Sequence, residues 1–160
     1  MPAYKRGLKI GSAWNYREAA LGSANTKGKF TDKDFGKPMK LVSDSTYDVC
    51  ADGDEIEEIF QALAAQQSTV NDGFQIGTIY DDGQFLAIIK GATAAKVGDY
   101  VVAAAQNDLG VTNAPAAQLT TAFAFVKPAG ATKPSFKWRI VSIKKGNGSE
   151  GSQVLCEKVR

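Results

Sequence analysis

Apolar and polar residues alternate in short runs along most of the chain, and a period of two residues is typical of half-buried β-strands. The clearest run, GFQIGTIYDDGQFLAIIKG at 73–91, alternates on both sides of Asp81-Asp82-Gly83 and therefore predicts a β-hairpin. Further strands are predicted from β-branched and aromatic residues at 39–43, 47–51, 97–102, 121–127, 136–143 and 153–159. Seven or eight short strands separated by turn residues predict a mainly all-β protein, a small antiparallel barrel or sandwich.

Two segments fit a short helix. Residues 54–66 place Ile56, Ile59, Phe60 and Leu63 on one helical face, although the same residues could build a strand, and the periodicity favours the helix. A second short helix, capped by Ser12, could occupy residues 13–21. We therefore leave room for one short helix in the predicted fold.

Residues 1–37 show neither period and are interrupted by five glycines, yet they contain five aromatic residues. We interpret them as an extended N-terminal arm that precedes a single β-domain at 38–160, since 160 residues suffice for one sizeable core. Exposed aromatic area is unfavourable until something covers it, and Tyr, Trp and Arg are enriched at interface centres. The predicted interface residues, contacting another protein or a neighbouring copy, are Tyr4, Lys5, Arg6, Trp14, Tyr16, Arg17, Lys29 and Phe30.

Charge is segregated along the chain: the net charge is +6 over residues 1–40, −8 over 41–136 and +4 over 137–160. The basic arm could bind phosphates and stack bases, which would make the protein a nucleic-acid-binding barrel. The acidic middle would repel phosphate, however, and it could attract the basic ends of a second copy. The charge pattern favours a protein partner over nucleic acid.

Few residues suited to catalysis are present. The chain has no histidine, which removes the usual base for a serine or cysteine nucleophile and the commonest zinc ligand. The acidic run at 52–58 does not match the spacing of a calcium-binding loop, so we interpret it as a solvated face that could dock a basic partner. We expect no enzymatic activity, no cofactor and no metal site.

Three other features of the sequence predict structure and not function. GNGSEG at 146–151 matches a phosphate-binding glycine motif in its letters, but a strand-like segment follows it instead of a helix, so it predicts a hairpin loop. Cys50 and Cys156 lie in apolar runs and are predicted to be buried free thiols. No apolar run is long enough for a signal peptide or a membrane span, so we expect synthesis in a cytoplasm and no membrane partner.

Three segments between residues 40 and 104 resemble the capsid cement, or head decoration, proteins of tailed bacteriophages. They are ADGDEIE at 51–57, the pattern Val-x-x-Gly-Phe-x-x-Gly-Thr at 70–78, and VGDYV at 97–101. The resemblance implies a dimeric or trimeric β-protein that is made in the host cytoplasm and binds the outside of an icosahedral head. There it would bridge subunits of the major capsid protein and stabilise the shell as a virion structural protein.

Overall fold

The computed structural model describes residues 16–64, 73–111 and 124–159. These residues form ten β-strands and one short 3-10 helix. The strands are β1 (Tyr16–Leu21), β2 (Pro38–Ser43), β3 (Thr46–Val49), β4 (Glu58–Leu63), β5 (Gln75–Tyr80), β6 (Gln84–Ile89), β7 (Val101–Ala103), β8 (Ala124–Pro128), β9 (Trp138–Lys145) and β10 (Gln153–Lys158), and the helix is η1 (Asp32–Asp34). The predicted all-β class is confirmed.

The first five strands close into a barrel with the order β1-β3-β2-β4-β5. The seam is the antiparallel pair β1–β5, which runs from Tyr16 opposite Tyr80 to Leu21 opposite Gln75. On its other side β1 runs parallel to β3, a pairing that an antiparallel barrel would not contain. The barrel core consists of Ala19, Leu21, Phe30, Met39, Tyr47, Phe60 and Ile79.

The other five strands form a second sheet with the order β7-β8-β6-β10-β9. This sheet curls until its two edges approach each other, where Tyr100 and Arg139 form an isolated bridge. Its inner face is centred on Trp138 and Phe85, whose rings meet edge to face at 5.0 Å. The same apolar cluster includes Ile59 and Tyr80 from the barrel, so one continuous core joins the two sheets.

The predicted hairpin at 73–91 is wrong, although both of its strands exist. β5 pairs with β1 and β4, whereas β6 pairs with β10 and β8. The turn at Asp81-Asp82-Gly83 therefore carries the chain from the barrel to the second sheet. Period-two alternation reports that each strand has two different faces, but it does not report which strand lies beside it.

The described residues form neither of the two possible helices: 16–21 form β1, and 58–63 form β4, the strand alternative for the segment 54–66. β4 lies between two cores, since Ile59 faces the shared core and Phe60 faces the barrel interior. A strand that is buried on both faces has apolar residues at consecutive positions, and over a few residues this resembles one side of a helix. In β1 the alternation is hidden because the consecutive residues 19 and 20 are both alanine, so an inward and an outward position carry the same side chain.

The extended arm predicted at 1–37 is contradicted from residue 16 onward, where the chain belongs to the barrel. β1 forms the barrel seam, and Phe30 is buried against Phe60, with ring centroids 5.6 Å apart. The side chain of Gln75 holds Phe30 by accepting from its N–H and donating to its carbonyl. Residues 1–15 lie outside the described residues.

A buried ion pair connects the barrel to the loop that follows β7. Lys37 and Asp34 are both fully buried, and Lys37 Nζ lies 2.8 Å from Asp34 Oδ1. The ammonium also donates to the carbonyls of Asn107 and Asp108, at 2.8 and 3.1 Å. Asp34 in turn accepts from the N–H groups of Thr31 and Gly110. Every donor of the ammonium is therefore used, as burial of a charge requires.

We expect Lys37→Met to lower the free energy of unfolding by about 3–5 kcal/mol, because it leaves the Asp34 carboxylate buried without a counter-charge. Urea denaturation measures the loss. Lys33→Met, in the same turn but exposed, is the matched control and should change stability by less than about 0.5 kcal/mol. Equal effects of the two substitutions would contradict this role of the pair.

Gly77 is required by close packing inside the barrel. A Cβ atom there would lie 2.5 Å from Leu21 Cδ1 and 2.8 Å from Phe60 Cε1. We expect Gly77→Ala to cost about 1–3 kcal/mol of stability through overpacking. Thr78→Ser, at the half-exposed neighbouring position, should stay within about 0.5 kcal/mol of wild type in the same denaturation experiment.

Candidate interaction surface

A groove of about 350 Å³ opens at one rim of the barrel, between the first half of β1 and the hairpin formed by β2 and β3. It exists because β3 pairs with β1 only at Ala20 and Leu21, whereas β5 pairs along the whole of β1. The β2–β3 hairpin extends beyond this short contact. Within the described residues, the edge of β1 from residue 17 to 19 therefore faces the groove and not a neighbouring strand.

Arg17 is the central polar residue of this groove. Its guanidinium lies 5.1 Å from the centre of the Tyr47 ring and donates to the Tyr47 hydroxyl and to Glu58 Oε1. The Arg17 side chain is 52% exposed, whereas that of Glu58 is only 3% exposed. A buried carboxylate and an aromatic face thus hold a solvent-accessible guanidinium in one orientation, which lowers the entropy lost when Arg17 binds a partner.

The electrostatics of this site are dominated by Glu58. Its burial raises the pKa of the carboxyl to about 7, Arg17 opposes this shift, and the neighbouring Asp81 adds to it. Burial likewise raises the pKa of the Tyr47 hydroxyl. The charge carried by the rim therefore depends on pH in the neutral range.

The β2–β3 hairpin contributes an apolar part to the same surface. Leu41 and Val42 are consecutive and exposed, at 48% and 40%, and Leu41 lines the groove. The hairpin turns at Asp44 and Ser45, and Ser45 has a φ of 54°, a left-handed conformation that few residues adopt without cost. An oriented arginine beside exposed aliphatic side chains has the composition of a protein–protein interface centre.

The predicted interface residues that the structure describes do not form one cluster. Arg17 lies at the rim, but Phe30 is in the barrel core, so its prediction as an interface residue is wrong. Lys29 is exposed beside Phe30, which bonds to Gln75 at the opposite end of the β1–β5 pair from Arg17. Tyr16 begins β1. Four predicted residues lie outside the described residues: Tyr4, Lys5, Arg6 and Trp14.

The acidic run at 52–58 is only partly the solvated face that was predicted: Asp52 is exposed and Glu58 is buried, and most of its carboxylates have partners within the chain. Asp52 pairs with Lys127, which lowers the pKa of this carboxyl, and Asp54 pairs with Lys40. Glu55 accepts from the N–H groups of Ser135 and Phe136 at 3.0 and 3.3 Å. Together with Glu58, these contacts make the run a connector between the barrel and the second sheet.

The predictions for the cysteines and for the glycine motif are confirmed. Cys50 and Cys156 are buried free thiols, and burial raises the pKa of both. The GNGSEG segment is the loop of the β9–β10 hairpin. Gly148 has a φ of 94°, and its backbone packs so closely on the Ala95 carbonyl that a side chain would not fit.

The sequence-based prediction missed Tyr47, Glu58 and Leu41 as parts of the rim. A signal existed for Leu41, since two adjacent apolar residues before a polar turn cannot both point inward from one strand. No comparable signal marks Glu58, because only the strand pairing places it under Arg17.

Comparison of the chain with protein-family models, with curated proteins and with solved structures gives no match. In the part of the chain that the structure describes, no helix is long and apolar enough to cross a membrane.

We expect Arg17→Met to lower stability by about 1–3 kcal/mol at pH 8, because it leaves the Glu58 carboxylate buried without its donor. Urea denaturation at pH 8 measures this effect. Arg139→Met, at an exposed position of β9, is the control and should change stability by less than about 0.5 kcal/mol. A loss no larger than that of the control would mean that Arg17 does not compensate the buried charge.

Proposed function

We propose that the protein is a virion structural protein, a cement or decoration protein that binds the outer surface of an icosahedral phage head. It would bridge subunits of the major capsid protein and act as a homo-oligomer, a dimer or trimer. Its mode of action would be protein contact without a catalytic step, after synthesis in the host cytoplasm.

The observation that carries this proposal is the rim around Arg17. It combines an oriented guanidinium, an exposed aliphatic pair and an unpaired strand edge, three features that favour contact with another protein. Tyr16 is the first residue of β1, so residues 1–15 precede the rim in the sequence. Their aromatic and basic residues would extend the same surface: Tyr4, Lys5, Arg6 and Trp14.

Two described residues from the segments that resemble cement proteins, Asp54 and Asp99, hold turns of this fold. Asp54 caps its own turn by accepting from the Ala51 N–H at 2.7 Å, and its carbonyl accepts from the Ala103 N–H at 2.9 Å. Asp99 accepts from Lys96 N–H in the same way. These residues fix backbone geometry and leave the surface to make the contacts, which suits a protein that acts through surface area.

Many copies on one shell would make modest contacts sufficient. A protein that touches several capsid subunits at once gains effective concentration for every contact after the first, so retention can exceed the affinity of any single site. Rigidity helps, because a closed barrel loses little conformational entropy on binding.

Co-sedimentation with cement-free heads tests the proposal. We expect wild-type protein to sediment with the heads. The double variant Arg17→Ala/Leu41→Ser and a deletion of residues 1–15 should each bind at least about tenfold more weakly, which corresponds to a loss of about 1.4 kcal/mol of binding free energy. Lys145→Ala, exposed at the end of β9, is the control and should bind like wild type.

Undiminished binding of both variants would remove the rim from the mechanism. Failure of the wild type to sediment with any head, together with DNA binding that weakens steeply with salt, would instead support a nucleic-acid-binding barrel.

A further inference from the structure

Glu58 is the first residue of β4, and Asp81 is the residue that follows β5, the antiparallel neighbour of β4. Ile59 is opposite Tyr80 in this antiparallel pair, and Glu58 precedes Ile59 just as Asp81 follows Tyr80. Side chains at directly opposite positions of such a pair have their Cβ atoms about 4.5–5.5 Å apart. Two carboxyl groups at this separation can contact each other.

Each of these carboxyl groups has a buried oxygen without a hydrogen-bond donor. Glu58 Oε1 accepts from Arg17, but Glu58 Oε2 has no partner, and neither has Asp81 Oδ1. In the described residues only one other buried side-chain polar atom lacks a partner, the indole Nε1 of Trp138. Leaving a buried acceptor without a donor costs free energy, and two negative charges in contact repel each other.

Several charged groups lie near Glu58, among them Arg17, Asp81 and Lys158. Lys158 of β10 does not pair with it, since its ammonium lies over the rings of Phe136 and Trp138, at 5.1 and 5.2 Å from their centres. Burial lowers the pKa of Lys158, whereas the nearby carboxylates raise it. The groups that act on Glu58 itself are Arg17 of β1, Asp81 after β5, and Lys158. Tyr47 of β3, Glu57 and Asp82 belong to the same electrostatic neighbourhood. Lys40 of β2 is paired with Asp54.

We propose that Glu58 and Asp81 share one proton, which forms a hydrogen bond from Glu58 Oε2 to Asp81 Oδ1. The proton is taken up from solvent and returned to it, and no other bond forms or breaks. One proton satisfies both oxygens at once, because the protonated carboxyl donates and the carboxylate accepts. Proton-sharing carboxyl pairs titrate at unequal pH values, and the higher step is shifted upward.

The pKa of Glu58, raised to about 7 from an ordinary value of 4.5, places this exchange near neutral pH. Between these two values the folded protein binds the proton and the unfolded chain does not. This group therefore stabilises the fold most at the acid end of the window, and its contribution is lost as the pH rises through about 7.

Proton uptake also changes the groove. When Glu58 is charged, it offsets the positive charge of Arg17, and when it is protonated the guanidinium charge is no longer neutralised at the rim. The same surface is thus more positive below pH 7 than above it.

Carbon-13 NMR of the side-chain carboxyl groups, recorded on the full chain between pH 4 and 9, tests the shared proton directly. In the wild type we expect a Glu58 midpoint near 7. Asp81→Asn removes the neighbouring negative charge, so it should lower this midpoint by at least about one unit. Glu57→Gln, the adjacent residue, is the control and should shift it by less than half as much.

A Glu58 midpoint below about 5 in the wild type would overturn the proposal, since no proton would then be held at neutral pH. An unchanged midpoint in Asp81→Asn would overturn it as well, because the proton would not be shared. The wild-type titration decides the first point even if a variant fails to fold.

A second readout is stability against pH. We expect the unfolding midpoint in urea to fall between pH 5 and pH 8 in the wild type. This component should disappear in Glu58→Gln, whose amide donates to Asp81 at every pH. Persistence of the full pH dependence in Glu58→Gln would assign it to other groups and contradict the proposal.

Discussion

The fully buried ion pair between Lys37 and Asp34 is the constraint on which the arrangement of the two sheets depends. An ammonium removed from water needs a hydrogen-bond acceptor for each of its three hydrogens. Here the acceptors come from two places in the chain: Asp34 of η1, and the adjacent carbonyls of Asn107 and Asp108. The loop after β7 is thereby fixed against the barrel, and Leu109 of that loop packs on the barrel core. An apolar residue at position 37 would fill the same space without specifying where the loop must lie.

A second constraint is that β4 belongs to two cores at once. Ile59 and Phe60 point to opposite sides, so the barrel and the second sheet cannot separate without exposing one of them. The burial of Glu58 follows from the same position, because it is the first residue of β4 and directly adjoins Ile59. The polar cluster at the rim is therefore a consequence of how the two sheets share a strand.

Much of the strand content was predictable from the sequence, and the pairing was not. β-Branched and aromatic residues identified the strands of the second sheet, although β6 and β10 contain consecutive buried residues. The same signal failed for β4, whose apolar residues also fit a helical period, and for β1, where alanines conceal the alternation. The turn at Asp81-Asp82-Gly83 was recognised, but a turn signal does not tell whether the chain returns to the same sheet. Of the rim, Arg17 was predicted from its residue type, whereas Glu58 became part of it only through strand register.

The order of the strands along the chain also bears on how the protein is made. All five strands of the barrel come from residues 16–80, and all five of the second sheet come from residues 84–159. The barrel seam joins residues about 60 positions apart, from Tyr16 to Tyr80, so this contact is slow to form and decides when the first half is complete. On the ribosome, the barrel has its whole set of strands before the second sheet has emerged. We expect Ile59 and Tyr80 of the barrel to be the surface on which the strands of the second sheet then pack.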